Sequence, residues 1–70
     1  MPIDMTPVSS SNIAAVGYDA DSRELTIEFN SGDVYIYDGI DPMSYESLMQ
    51  APSVGSFFYR FIRNRSFRRG

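Results

Sequence analysis

RELTIEFNSGDVYIYD, residues 23–38, decides the fold of this chain. In its first half Leu25, Ile27 and Phe29 alternate with polar residues, and that period of two is typical of a half-buried strand. Its second half contains VYIY, a run of strong strand formers. The Asn-Ser-Gly between the two halves has turn chemistry, so the stretch is predicted to be a β-hairpin.

The turn determines which side chains face the core, and two turns are compatible with this sequence. A two-residue loop of Ser31 and Gly32 would pair Phe29 with Val34 and place Tyr35 and Tyr37 on the opposite face. A three-residue loop with Gly32 at positive φ would pair Phe29 with Asp33 instead. The tyrosines would then lie beside Leu25 and Ile27. The longer, bulged loop is favoured because serine disfavours positive φ.

The segments around the hairpin complete an α+β fold. An apolar run at 12–18 predicts an earlier strand, Asp41-Pro42 is a typical helix start, and Ala51-Pro52 ends that helix. The prediction is a three-stranded antiparallel β-meander followed by two short α-helices, Pro42–Gln50 and Ser53–Ile62. With 70 residues the chain has room for one domain, predicted at 8–65 with flexible termini at 1–7 and 66–70. The predicted core consists of Leu25, Ile27, Phe29, Leu48, Phe57 and Phe61.

Several kinds of chemistry are missing from the composition. The chain has no histidine, cysteine or tryptophan, and no lysine, so the usual bases, thiolates and metal ligands are absent. The acidic pairs Asp19/Asp21 and Asp38/Asp41 are interpreted as turn and helix-cap residues. We therefore predict no enzyme activity, no cofactor and no metal. The lack of cysteine and of a long apolar run predicts a cytoplasmic protein without a membrane partner.

Charge is distributed very unevenly along the chain. All nine acidic residues lie between Asp4 and Glu46, whereas no acid follows Glu46. Five arginines occupy the C-terminal part: Arg60, Arg63, Arg65, Arg68 and Arg69. This cluster indicates an anionic partner, and the interleaved Tyr59 and Phe67 would suit stacking on exposed bases. The alternative is that the arginines pair with the chain's own Glu24, Glu28 or Glu46.

Four segments resemble the KTSC domain, a short bacterial and phage domain found at the C-terminus of some lysyl-tRNA synthetases and as a stand-alone protein. They are SSSNIAAVGYD, LTIEFNSGDVYIY, MSYESLMQAPSVG and FFYRFIR, which together cover about residues 8–63. The family's Tyr-x-Tyr motif matches Tyr35 and Tyr37, and its small-residue pattern matches Ser53-Val54-Gly55. Family members often have an asparagine where this chain has Tyr59. The resemblance implies the fold and, through the synthetase association, a suggestion of RNA binding.

Two functional hypotheses follow from these features. The leading one is a non-catalytic binding module that contacts RNA or another nucleic acid through its arginine-rich C-terminal face. The alternative is a protein–protein interaction module or small homodimer with no nucleic-acid role. Tyr35 and Tyr37 could form a stacking platform for bases, but packing in the core is the favoured interpretation. The positions of the arginines distinguish the two hypotheses. Convergence on one exposed face with aromatic residues favours nucleic acid, whereas dispersal over the surface or internal pairing favours protein contact.

Overall fold

The chain folds as one antiparallel sheet with two helices on one of its faces. The computed structural model describes residues 4–70. The elements are β1 (Thr6–Pro7), β2 (Ile13–Asp19), β3 (Glu24–Phe29), β4 (Val34–Tyr37), α1 (Pro42–Gln50), α2 (Val54–Phe61) and β5 (Phe67–Arg69). The strands lie in the order β1-β2-β3-β4-β5, each antiparallel to its neighbour. The α+β class is confirmed, but the sheet has five strands where three were predicted.

The β3–β4 hairpin has the bulged turn that the sequence favoured. Gly32 adopts a φ of +97°, which only glycine tolerates easily. The Phe29 amide donates to the Asp33 carbonyl at 2.9 Å, and the Gly32 amide donates to the Phe29 carbonyl at 2.9 Å. Tyr35 consequently pairs with Ile27 and Tyr37 with Leu25. The tyrosines therefore share the face of the sheet that the helices cover.

Both helices begin at side-chain caps. The Asp41 carboxylate accepts a hydrogen bond from the Ser44 amide at 2.9 Å, and hydrogen bonding with Ser44 lowers the pKa of Asp41 below its ordinary value of 3.8. The Ser53 hydroxyl caps α2 by accepting from the Ser56 amide at 3.3 Å. The first helix matches its prediction, and the second is one residue shorter at each end. In the part of the chain that the structure describes, neither helix is long and apolar enough to cross a membrane.

The core lies between the sheet and the two helices. Leu25, Ile27 and Leu48 are completely buried, as predicted. Phe29 and Phe57 are only half-buried and pack against the edge of the core. The prediction for Phe61 is wrong, because this side chain is 58% exposed. The buried stripe of α2 is instead formed by Val54, Phe58 and Ile62.

That stripe follows from helix geometry. Residues four apart lie on one face of a helix, and 54, 58 and 62 are spaced by four. Phe58 packs edge-on against Phe29 and Tyr37, with ring centroids 5.6 and 5.3 Å away. Because this face contacts the sheet, Phe57 and Phe61 lie on a neighbouring side of the helix, at the edge of the contact. They contact each other at 4.8 Å between centroids.

Residues near both termini pair with the sheet, whereas the sequence predicted flexible termini. Phe67–Arg69, expected to be part of a flexible terminus at 66–70, pair with β4. The Asp38 amide donates to the Ser66 carbonyl and the Gly70 amide to the Val34 carbonyl, both at 2.9 Å. An unpaired strand edge readily takes another strand, and this tail covers the edge of β4. At the other end, Thr6–Pro7 pair with β2, while residues 1–3 of the expected flexible N-terminus lie outside the described residues.

Candidate nucleic-acid interface

The two arginines of β5 are engaged by carboxylates of the same chain. Arg68 forms ion pairs with Glu24 at 2.6 Å and with Asp38 at 2.9 Å. Arg69 pairs with Asp33 at 3.0 Å, and its guanidinium lies 5.6 Å from the centroid of the Tyr35 ring. Hydrogen bonding with Glu24 raises the pKa of Arg68 above its ordinary value. These two cations therefore serve the attachment of β5 to the sheet.

The exposed side of α2 carries a different pair of cations. The Arg63 guanidinium carbon lies 3.9 Å above the centroid of the Tyr59 ring, within the range of a cation–π contact. Tyr59 is 58% exposed, and Arg60 is the next residue along the helix. Within residues 4–70, neither Arg60 nor Arg63 lies within ion-pairing distance of a carboxylate. This surface of Tyr59, Arg60 and Arg63, here called the α2 face, presents a flat ring and two available cations.

Arg65 lies on a third surface, beyond the end of α2. It borders a hollow of about 210 Å³ between the two helices, together with Met43 and Phe61. Met43 is 75% exposed and Phe61 58% exposed, so the hollow is open and apolar. The five C-terminal arginines do not share one face. The structure divides them among the α2 face, this hollow and β5, and the two on β5 pair internally. This dispersal was expected for protein contact, so a nucleic-acid face made of all five arginines is not supported.

The Tyr-x-Tyr pair lies in the packing between sheet and helices. Tyr37 is 5% exposed, and burial raises the pKa of its hydroxyl. Tyr35 is half-buried and contacts Phe29 edge-on at 5.7 Å. Phe67, although 53% exposed, packs on both tyrosines at centroid distances of 5.3 and 5.4 Å. The tyrosines are thus packing residues, and Phe67 acts with them.

Two clefts run along α2 and meet at Tyr59. The first has a volume of about 420 Å³ and separates α2 from the β3–β4 turn, with Phe29, Tyr35 and Phe58 as its apolar wall. The second has a volume of about 410 Å³ and lies between the start of α2 and the serine-rich segment 9–12. Arg63 borders the first and Arg60 the second. The α2 face is therefore the rim of a continuous depression.

The serine-rich segment is held against α2 by small residues. A β-carbon added at Gly55 would lie 3.0 Å from the Ser10 hydroxyl oxygen, so glycine permits this close approach. That hydroxyl accepts hydrogen bonds from the Asn12 and Ile13 amides at 3.2 and 3.3 Å. The Asn30 side chain donates to the Ser11 carbonyl at 2.9 Å. These contacts fix the floor of the clefts, and the close approach of Ser10 explains why position 55, in the first turn of α2, is a glycine.

The acidic pairs occupy structural positions. The Asp21 amide donates to the Asp19 carboxylate at 3.0 Å, which is a turn contact. Asp41 caps α1, and Asp38 belongs to the Arg68 ion pairs. Across residues 4–70, no group of three or more acidic, histidine or cysteine side chains could hold a metal ion.

Comparison with known proteins settles the family. The model of the KTSC domain matches residues 9–67. The chain belongs to the KTSC domain family. The crystal structure of a KTSC domain protein from Yersinia pestis superimposes with a TM-score of 0.94 at 36% sequence identity, over 99% of each chain. An uncharacterized protein of Stutzerimonas stutzeri is 31% identical over 61 residues, which are 87% of this chain and 86% of that protein.

The same KTSC domain also matches a small part of a much larger enzyme. A lysine–tRNA ligase of Nostoc punctiforme is 42% identical over 53 residues, which are 76% of this chain but only 9% of the ligase. The resemblance inferred from the sequence motifs is thereby confirmed. Tyr59 lies at the junction of the two clefts.

Sequence reasoning missed the part of the site opposite α2. Asn12, Asn30 and Ser31 line the first cleft from the side of the sheet. Polar turn residues of this kind are common in any hairpin, and nothing in their spacing indicates a shared cleft. The bulged turn and the small residues Ser10 and Gly55 are the sequence features compatible with the close approach of segment 9–12 to α2.

Proposed function

We propose that this KTSC domain is a non-catalytic, cytoplasmic module that binds single-stranded RNA through the α2 face. The observation that carries the proposal is the exposed stack of Arg63 on Tyr59 with Arg60 beside it. Arginine forks suit phosphate oxygens, and an exposed aromatic ring suits an unstacked base. The match to a lysine–tRNA ligase supports RNA as the polyanion.

The structure narrows the residues on which the proposal rests. Arg68, Arg69 and Phe67 have partners within the domain, and Arg65 lies on another surface. The two β5 arginines are 51% and 71% exposed in their ion pairs, so they can still attract RNA over a distance. Contacts to phosphate are expected mainly from Arg60 and Arg63.

We expect the double variant Arg60→Gln/Arg63→Gln to weaken binding to a fluorescent single-stranded RNA strongly at low salt. It should also flatten the log–log salt dependence by about 1.4, since each phosphate contact to a single strand contributes about 0.7. The matched control is Arg68→Gln/Arg69→Gln, which removes the same net charge from β5. Thermal melts of both variants establish that they are folded.

Equal loss of affinity in the two double variants would show that only net charge matters and would contradict a site on α2. Failure of the wild-type domain to bind RNA at low salt would remove the proposed function altogether. A preserved salt slope in the α2 variant would place the phosphate contacts elsewhere.

A second candidate is self-association through the hollow between the helices. Met43 and Phe61 are two large, well-exposed apolar side chains on one surface. Arg65 borders them together with Ser44 and Ser47, so polar groups surround an apolar centre. A two-fold contact requires a surface of this self-complementary kind. We therefore propose a second copy of the chain as the occupant.

Self-association predicts that sedimentation equilibrium will detect a dimer as the protein concentration rises towards millimolar. Phe61→Ser should shift the protein to monomer, because it removes a well-exposed aromatic ring from the hollow. Tyr59→Ser, an equally exposed aromatic on the other side of α2, is the matched control. A wild-type protein that stays monomeric at millimolar concentration would exclude this candidate.

A further inference from the structure

The cleft between α2 and the β3–β4 turn has the features of a binding site for one flat, polar-edged ring. Its volume of about 420 Å³ falls in the range of about 300–1,000 Å³ that is common for small-molecule sites. Phe29, Tyr35 and Phe58 supply an apolar wall. This wall belongs to the packed aromatic cluster of the core, so it is preformed.

Polar groups at the mouth of the cleft have unused hydrogen-bonding capacity. The amide nitrogen of the Asn30 side chain donates to the Ser10 and Ser11 carbonyls, which leaves its oxygen directed away from those contacts as an acceptor. The Asn12 side chain makes no hydrogen bond with any residue between 4 and 70. An asparagine amide can both donate and accept, which matches the edge of a nucleobase.

Charge at the rim completes the match. Arg63 borders the cleft and is stacked on Tyr59, while the Asp33 carboxylate on the opposite rim is already paired with Arg69. A ligand that carries a phosphate next to a ring could therefore pair its phosphate with Arg63, and the Asp33 carboxylate, already neutralised by Arg69, would repel it little. A simple apolar ligand would leave this cation unused.

We infer that the cleft takes one unstacked nucleobase of a bound single strand, with the adjoining phosphate at Arg63. The inference rests on the proposed RNA-binding function and adds a second element to it. Phosphate contacts position a strand without reading sequence, whereas a base enclosed by Asn12 and Asn30 can be distinguished by its edge. The domain would thus prefer certain bases at one position of the strand.

The test compares a uridine octamer with an abasic ribose-phosphate octamer of the same length and charge. Stacking of a base on aromatic side chains corresponds to a roughly 5- to 100-fold gain in affinity, so the abasic octamer should bind more weakly by that factor. The uridine octamer should also shift the NMR amide resonances of Asn30 and Ser31, across the cleft from α2. The abasic octamer should shift only resonances of the α2 face.

Asn12→Asp provides an independent variant at the mouth of the cleft. Asn12 is exposed and its side chain makes no hydrogen bond within the described residues, so the fold should tolerate the change. The new carboxylate should repel the incoming strand and reduce the affinity for the uridine octamer. Asn12→Ser, which adds no charge, is the control and should bind much closer to the wild type.

The outcomes separate the two proposals. Uridine-induced shifts confined to Tyr59, Arg60 and Arg63 would overturn base binding in the cleft and leave RNA binding by α2 intact. Equal affinity for the two octamers would overturn base binding in the cleft and base stacking on Tyr59 together, and would leave only the phosphate contacts of Arg60 and Arg63. No binding of either octamer at low salt would overturn the proposed function and the cleft inference together.

Discussion

Phe58→Ala should lower the free energy of unfolding by about 3–5 kcal/mol, as removal of a buried aromatic ring usually does. The side chain is 6% exposed and contacts the rings of Phe29 and Tyr37. A 70-residue domain has a total stability of roughly 4–10 kcal/mol, so the variant would be close to unfolding at room temperature. Urea denaturation followed by circular dichroism measures the difference.

Phe61→Ala is the matched control, because it makes the same chemical change in the same helix. Phe61 is 58% exposed, and a surface substitution of this kind should cost less than about 1 kcal/mol. The comparison is made at low protein concentration, where any self-association is absent. Equal losses in the two variants would mean that α2 is rotated relative to the structure described above.

This contrast shows where sequence patterns stop being informative. Five apolar residues in and next to α2 cover an arc of about 140° at 3.6 residues per turn: Val54, Phe57, Phe58, Phe61 and the C-cap residue Ile62. The period of 3.6 residues identifies the helix but does not choose among faces this wide. Contact with the sheet makes the choice, and that contact involves Phe29 and Tyr37, which are distant in the sequence.

The hairpin register was predictable because its cause is local. Serine disfavours positive φ and glycine accepts it, so Ser31 followed by Gly32 favours the longer loop. Once the loop length is known, the side chains that share a face follow from the period of two. The placement of Tyr35 and Tyr37 beside Ile27 and Leu25 is a consequence of these two turn residues.

The candidate site was predictable only in part, for a related reason. The sequence located an excess of arginine after Glu46, but adjacency along the chain did not reveal which guanidinium groups have partners. Arg68 pairs with Glu24, 44 residues away, and Arg69 with Asp33, 36 residues away. Such pairs depend on the β4–β5 register. Arg60, Arg63 and Arg65 form no ion pair with a carboxylate among residues 4–70, and they lie near or beyond the end of α2.

Removal of residues 66–70 should destabilise the domain, although the sequence of this tail contains no strand pattern. The truncation exposes Tyr35 and Tyr37, which Phe67 covers at 5.3 and 5.4 Å, and it breaks the hydrogen bonds that join Ser66 and Gly70 to the edge of β4. The free energy lost with this burial and these hydrogen bonds should exceed the free energy regained from chain entropy. The free energy of unfolding should therefore fall by about 1–3 kcal/mol.

Urea denaturation measures the loss of global stability, and hydrogen exchange at the Asp38 amide measures the loss of the local contact with the tail. The amide donates to Ser66 at 2.9 Å, so its protection should disappear with the tail while the amides of β2 and β3 remain protected. The truncated protein should also self-associate more readily, since an unpaired strand edge attracts other strands. Unchanged stability together with unchanged exchange at Asp38 would mean that the tail is frayed in solution.

The tail contributes to stability through its ion pairs and through the packing of Phe67, and salt distinguishes these two contributions. Without Arg68 and Arg69, the carboxylates of Glu24, Asp38 and Asp33 face solvent without their partners, and their mutual repulsion adds to the loss. Salt at about 1 M reduces the screening length to about 3 Å, so it should restore that electrostatic share. Arg68→Gln/Arg69→Gln retains Phe67 and the strand backbone, and high salt should return it close to wild-type stability. The truncated protein should recover only in part, because salt does not replace the ring of Phe67 on the two tyrosines.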